Sequence, residues 1–221
     1  LQRTPPLEVA APVAALASAL AAAPALPPAE LCGMLSHWRL RPAGSAPPGA
    51  SLADRILASR GVTDPRFLDA TLKDLHDPSR MPDLDKAAAR VLDALDRDQS
   101  IVIYADYDVD GVSAAAILWH TLHALRPGCR VSTYLPHRID EGYGPNVPAM
   151  RHLASGHDLI ICVDCGTLSH EAIAAAGAAD VVILDHHLGG ETLPEALAVV
   201  NPNRQDESGD LAHLCAASVV F

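Results

Sequence analysis

From Gln99 onward the chain alternates short runs of β-branched and other apolar residues with longer stretches whose apolar positions recur every three to four residues. Ile101–Ala105, Arg130–Leu135, Asp158–Val163 and Val181–Leu184 read as strands, and Ala198–Val200 can add a fifth. Helical stretches lie between them at about Val112–Leu125, Asn146–Ala154 and Leu168–Ala176. The strand runs are continuously apolar rather than alternating, as in a parallel sheet covered by helices on both faces. Residues 99–201 are therefore expected to form an α/β fold, an open, mostly parallel sheet flanked by helices with right-handed crossovers.

Upstream the period is helical or absent. Ser51 can cap a short helix running to Ser59, and Asp64-Pro65 supplies a cap and a first-turn proline for another reaching about Leu72. A third helix is expected from Asp83, with Leu84, Ala88, Val91, Leu92 and Leu95 packing and Asp85, Arg90, Asp93 and Arg97 solvated. Residues 1–50 carry most of the proline and a second Pro/Gly/Ser cluster at Arg41–Gly49, and so read as a poorly ordered Pro/Ala-rich arm. Within it, Pro12–Ala29 is Ala/Leu-rich, but Pro12, Pro24, Pro27 and Pro28 break it. It reads as a linker rather than a membrane span, with a cleaved export signal as the alternative. The expected organisation is an arm (1–50), a small helical segment (51–98) and an α/β domain (99–221).

Composition changes this picture little, and charge changes it more. With 221 residues, 49% of them apolar, the chain can bury a substantial core. Its 16 Lys plus Arg against 27 Asp plus Glu give a formal charge of −11, which argues against a module that grips nucleic acid by charge alone. An acidic chain can still act on phosphates if a metal stands between. Five cysteines, an odd number, point to free thiols and a reducing compartment, with cytoplasm expected and no membrane.

The acids fall where chemistry is expected. Asp106, Asp108 and Asp110 follow the first strand in YADYDVDG, Asp164 follows the third in ICVDCG, and Asp185-His186-His187 follows the fourth in VILDHH. Strand C-terminal ends of an open parallel sheet share one edge, where ligands bind. Five carboxylates gathered there would repel one another and raise one another's pKa values. No Lys or Arg lies in these segments, so the neutraliser should be a cation. Carboxylates with one or two imidazoles suit Mg²⁺ or Mn²⁺, and a pair of such ions activates water and clamps phosphoryl oxygens. Gly111 permits a tight turn at the start of the following helix, and the amides of Gly111, Val112 and Ser113 are expected to face an anion. Each piece alone has an ordinary structural reading, a helix cap for the aspartates and packing for the histidines. The conjunction at three strand ends is what points to a site.

YADYDVDG, VDCGT and DHH, in this order, resemble motifs I, II and III of the DHH phosphoesterases. LPHRIDEGYGPN, NPN and LCAASVVF resemble the RecJ-type, single-strand-specific exonucleases of that family, over roughly Ser51 to the end of the chain. The resemblance implies a two-manganese (or magnesium) hydrolase that removes nucleotides from the 5′ end of single-stranded DNA in repair and recombination. A single-strand-binding protein and a RecQ-type helicase are the partners it implies. By position it makes Asp108 and Asp110 metal ligands, Asp164 the carboxylate bridging both ions, His186 a further ligand, and His187 the group facing the scissile phosphate. Asp106 would complete the first ion's shell, because Tyr104 stands where many members carry histidine. Asp164, His186 and His187 are thus the expected catalytic residues.

The resemblance also implies a fourth motif with a further aspartate and a separate substrate-binding domain with Gly-Gly-His, neither of which is in this sequence. The chain is accordingly expected to be an N-terminal portion whose α/β domain is incomplete at its C-terminus, weak in metal binding and cutting on its own. Arg138 and Tyr143, with Gly111, are the expected substrate contacts, Tyr143 by stacking on a base. Two rival readings remain: a phosphoesterase for short oligonucleotides, cyclic dinucleotides or pyrophosphate, and a catalytically silent scaffold. Cys162-x-x-Cys165 has zinc-like spacing, but residues three apart in an extended strand are expected on opposite faces. His120 and His123, one helical turn apart beside Trp119, are expected to serve packing.

Overall fold

The structure is a computed structural model. It describes residues 31–32, 37–38, 48–62, 64, 67–69 and 71–221. The chain divides into two compact units, Leu1–Leu75 and His76–Phe221.

In the first unit β1 (Leu31–Cys32) pairs antiparallel with β2 (His37–Trp38). Most of the arm expected over 1–50 lies outside the described residues. Helix α1 (Leu52–Ser59) begins where expected, because Ser51 and Asp54 form a reciprocal cap. The helix expected from Asp64 to Leu72 falls partly outside the described residues. At its end Thr71 and Asp74 close a similar cap around a single 3₁₀ turn, Leu72–Asp74.

The second unit holds α2 (Leu84–Asp96), β3 (Ile101–Ala105), α3 (Val109–Leu125), β4 (Val131–Tyr134), α4 (Val147–Ala154), β5 (Leu159–Val163), α5 (His170–Ala174), β6 (Asp180–Leu184), β7 (Ala198–Val200) and α6 (Ala216–Val220). The five strands β3 to β7 form one all-parallel sheet in the order β4-β3-β5-β6-β7. Successive residues feed opposite layers: Ile101, Ile103, Leu159 and Ile161 face the layer of α2, α3 and α6, while Val102, Tyr104, Ile160 and Cys162 face that of α4 and α5. Burial on both faces is why β3 and β5 read as unbroken apolar runs.

Three local expectations need correction. Strand β4 is not covered on both faces; it is an edge strand whose Ser132 and Thr133 are exposed. On α2 the packed stripe is Leu84, Ala87, Val91, Ala94 and Leu95, with Ala88 and Leu92 outward. Arg90 is not solvated: it lies against the sheet edge with Nε 2.7 Å from Asp180 Oδ2 and Nη1 donating to Gln99 Oε1 at 2.9 Å.

Strand order reverses direction at β3, so the crevice beyond the C-terminal ends of β3 and β5 is the switch point of the sheet. The ladder runs one residue past three strands there: Asp106 N–H donates to Val163 O, Asp164 N–H to Leu184 O and Asp185 N–H to Val200 O. Backbone pairing alone therefore sets Asp106, Asp164 and Asp185 side by side along one edge.

Candidate metal centre

Asp106 leaves β3 into this crevice, buried, and its Oδ1 has no hydrogen-bond partner. Burial, with the neighbouring Asp108 charge adding to it, pushes its pKa up. Asp108 instead caps α3, its Oδ1 accepting from Asp110 N–H at 2.8 Å and Gly111 N–H at 3.1 Å; these amides hold its pKa below the usual carboxylate value.

Gly111 is required by close approach. A Cβ on it would lie 2.4 Å from the Asp106 carbonyl oxygen, so glycine lets α3 rest directly on that peptide. The expectation that amides at Gly111 and Val112 are free for an anion is overturned. The helix starts at Val109, three residues before the expected point, and those amides are taken by the Asp108 side chain and carbonyl.

Asp164 is buried and sits at φ +60°, a left-handed conformation that aspartate tolerates but that is uncommon outside turns and functional sites. Its Oδ1 is a second buried oxygen without a hydrogen bond, 3.2 Å from His186 Nε2. Burial, then the Asp110 and Asp108 charges, push its pKa up to about 7. The same turn puts Cys162 and Cys165 in one apolar layer rather than on opposite faces, and burial pushes both thiols up.

The third strand end is built differently. Asp185 is buried, and burial alone would raise its pKa. Thr167 and His187 outweigh that and hold it low: Thr167 donates through Oγ1 at 2.6 Å and N at 3.0 Å, and His187 Nδ1 stands 2.8 Å from Oδ1. His187 is tuned the other way. Burial lowers its pKa, but the Asp185 carboxylate and its neighbours more than offset this and raise it. Asn201, fully buried, donates to Thr167 Oγ1 and His187 O, and Asn203 donates to His186 O.

Two donor sets result. Asp106, Asp108 and Asp164 bring one oxygen each within 4.8 Å of one another, and Asp164, His186 and His187 do likewise. Asp164 belongs to both, which is the arrangement a bridging carboxylate between two ions requires. Asp110 lies at the margin and in neither set: its Oδ2 is 3.5 Å from His186 Nε2, and its two oxygens accept from Ala216 N–H at 2.8 Å and Ala217 N–H at 2.9 Å. Asp185, expected among five converging carboxylates, is turned away to hold His187.

Among the described residues no Lys or Arg forms an ion pair with Asp106, Asp108, Asp110 or Asp164. Two like charges 4 Å apart cost about 4 kcal/mol at an effective dielectric of 20, so the buried oxygens without a hydrogen bond on Asp106 and Asp164 call for a divalent cation. Oxygen-rich donors with imidazole suit Mg²⁺ or Mn²⁺.

The family profile described as "DHH family, N-terminal domain" matches residues 100–221. The chain belongs to the DHH family. Among its relatives in that family, the single-stranded-DNA-specific exonuclease RecJ of Bacillus subtilis is 39% identical over 70% of this chain and 20% of its own length. RecJ of Escherichia coli is 34% identical over 77% of this chain and 30% of its own length. Among the solved structures similar to this chain are two of RecJ. One is an exonuclease RecJ bound to manganese, 32% identical, TM-score 0.57, over 66% of this chain and 37% of that one. The other is RecJ of Thermus thermophilus in complex with Mn²⁺, 28% identical, TM-score 0.58, over 75% and 23%. The chain thus spans less than a third of the length of these two curated relatives.

Tyr143 is 55% exposed and is tethered beside the donors through its hydroxyl. Its hydroxyl donates to Asp164 O at 3.2 Å, with His187 nitrogens also at 3.2 Å, and the two rings meet edge to face at 5.7 Å. Arg138 is exposed, its guanidinium 5.0 Å from the Tyr107 ring centre beside the aspartates. Tyr104 is buried in the layer of α4 and α5, stacks on Tyr134, and donates to Gly144 O at 2.8 Å, so it secures the loop that carries Tyr143. His120 and His123 pack on Trp119, and His123 Nδ1 lies 2.9 Å from the Trp119 carbonyl.

Thr167, Asn201 and Asn203 take roles that sequence reasoning did not assign to them. The VDCGT and NPN segments flag their neighbourhood. Only the fold brings them beneath the two histidines.

Proposed function

We propose that this chain carries the metal-holding part of a nuclease that hydrolyses phosphodiester bonds of single-stranded DNA from the 5′ end. The observation that carries the proposal is the pair of donor sets sharing Asp164, with buried oxygens on Asp106 and Asp164 that have no hydrogen bond. Asp106, Asp108 and Asp164 would hold one ion and Asp164 with His186 the other, Asp110 contributing at the margin; manganese is the first choice. Ions held there would neutralise the phosphate and lower the pKa of an attacking water.

The chain's own residues do the rest. Asp185 takes His187 Nδ1 and favours the charged imidazole, so His187 would present a proton on Nε2 to the scissile phosphate. Tyr143 limits the tilt of that ring through its hydroxyl. Arg138 and Tyr107 stand beside the aspartates as a cation and an aromatic face for a nucleotide. An acidic chain can act on DNA in this way because the charge that meets phosphate is that of the ions. The relatives named as single-stranded-DNA-specific exonucleases support single-stranded DNA as substrate; a role in repair and recombination, with a single-strand-binding protein and a RecQ-type helicase as partners, is part of the proposal. The free Cys129, Cys162, Cys165 and Cys215 support a cytoplasmic setting, and no helix among the described residues is long and apolar enough to cross a membrane.

The test is single-turnover digestion with protein in excess and saturating Mn²⁺. Nucleotides should be released from the 5′ end of single-stranded oligonucleotides, and Asp164→Ala should abolish release with an unchanged circular dichroism spectrum. Faster turnover of dinucleotides or cyclic dinucleotides would instead assign a small-substrate phosphoesterase. Activity retained in Asp164→Ala would remove the site.

A further inference from the structure

We propose that the backbone amides of Ala216 and Ala217 position the metal centre, and that docking of α6 and binding of divalent ions are linked through Asp110. The link rests on the metal-site reading above and concerns what fixes its marginal carboxylate.

The observation is a cap supplied from far away in the chain. Cys215 precedes α6, and its side chain lies 3.3 Å from Ser218 Oγ and caps none of the helix's backbone amides. The two amides that need an acceptor find it in Asp110, at the other end of the second unit's α/β region, with Oδ2 2.8 Å from Ala216 N and Oδ1 2.9 Å from Ala217 N. One carboxylate thus closes the start of α6 and stands 3.5 Å from His186 Nε2. A carboxylate has about four lone-pair directions, and two amide bonds leave one free on each oxygen for a cation. The amides restrict the rotation of the group and so choose where those lone pairs point, as partners of a metal ligand do. Their own position depends on burial of Ala216 and Val219, with Leu211, in the layer shared with Ala114 and Leu118 of α3.

Such coupling is reciprocal: if docked α6 favours the ion-binding posture of Asp110, bound ions favour docked α6. A variant can remove one amide while sparing the helix. Ala216 is the first residue of α6, where proline is tolerated, and Cys215, at φ −86° and ψ 168°, is already extended, as a residue before proline must be. Ala216→Pro should weaken Mn²⁺ binding, read by calorimetry on the whole chain, by about tenfold. Because Ala216 is fully buried, a second measurement needs no substitution. In the unsubstituted chain, saturating Mg²⁺ should slow hydrogen exchange across residues 211–221.

If the chain binds Mn²⁺ and Mg²⁺ but exchange over 211–221 is the same with and without metal, the link is wrong and the metal site stands. If it binds neither ion at millimolar concentration, the metal site itself fails and the link with it.

Discussion

The two sides of the crevice are built on opposite plans. On the histidine side nearly every polar group has a partner: Asp185 is satisfied by Thr167, His186 N–H and His187, and Asn201 and Asn203 hold the histidine carbonyls. On the aspartate side Asp106 and Asp164 each keep a buried oxygen with no hydrogen bond, and Asp164 holds a left-handed backbone conformation besides. The first side is organised by the protein; the second is left for something positive to complete. Imidazoles need aiming before a ligand arrives, and protein hydrogen bonds can aim them. Carboxylates need charge, and no Lys or Arg among the described residues pairs with these.

The largest expected effect comes from removing the tension on the aspartate side. Asp164→Asn keeps a residue that tolerates left-handed backbone but deletes a buried charge. It should lose Mn²⁺-dependent thermal stabilisation and yet make the metal-free chain more stable near neutral pH, by a few kcal/mol as an order of magnitude. The pH sign follows from the raised folded pKa. The folded state holds a proton on Asp164 that the unfolded state has lost, so stability falls as pH rises from about 4 to about 7, the folded value. Melting curves over that range should show the fall in the metal-free parent and a flatter profile in Asp164→Asn.

Breaking the histidine side should do the reverse. Thr167→Val leaves Asp185 without its shortest hydrogen bond and Asn201 with only His187 O of its two acceptors, and should cost about 1–3 kcal/mol in chemical denaturation with no compensating gain. Because Asp185 has a lowered folded pKa, its contribution is present above the unfolded carboxylate pKa and is lost as pH falls through the folded one. The loss of stability toward acid should therefore be shallower in Thr167→Val than in the parent.

How legible each residue is in the sequence depends on what its role requires. Continuous apolar runs announce parallel strands, and parallel strands share one edge, so the placement of Asp106, Asp164 and Asp185 follows from order alone. What Asp185 and Asp110 do there is not legible, since their partners Thr167 and Ala216 lie 18 and 106 residues away in the chain. Gly111 departs from expectation for a local reason. Asp108 starts the helix earlier than the apolar period suggests and uses up the amides. Tyr104 looks like a departure among the donors, but its hydroxyl is taken by the Gly144 carbonyl, where it serves the Tyr143 loop.

Smaller effects sharpen the comparison. Asn203→Ala releases the His186 carbonyl and should weaken Mn²⁺ binding by about tenfold while changing stability by less than about 1 kcal/mol, as calorimetry and denaturation would record. Tyr143→Phe removes a hydroxyl from Asp164 O and His187 but leaves the ring, and should alter Mn²⁺ affinity less than Asn203→Ala does in the same titration.

The central claim is that Asp164 belongs to two donor sets and joins two ions. Electron paramagnetic resonance during a Mn²⁺ titration tests it directly. At saturation the account predicts two Mn²⁺ per chain with the spectrum of a magnetically coupled pair, lost in Asp164→Asn. A single isolated Mn²⁺ spectrum at saturation, or a coupled pair that survives Asp164→Asn, would contradict it.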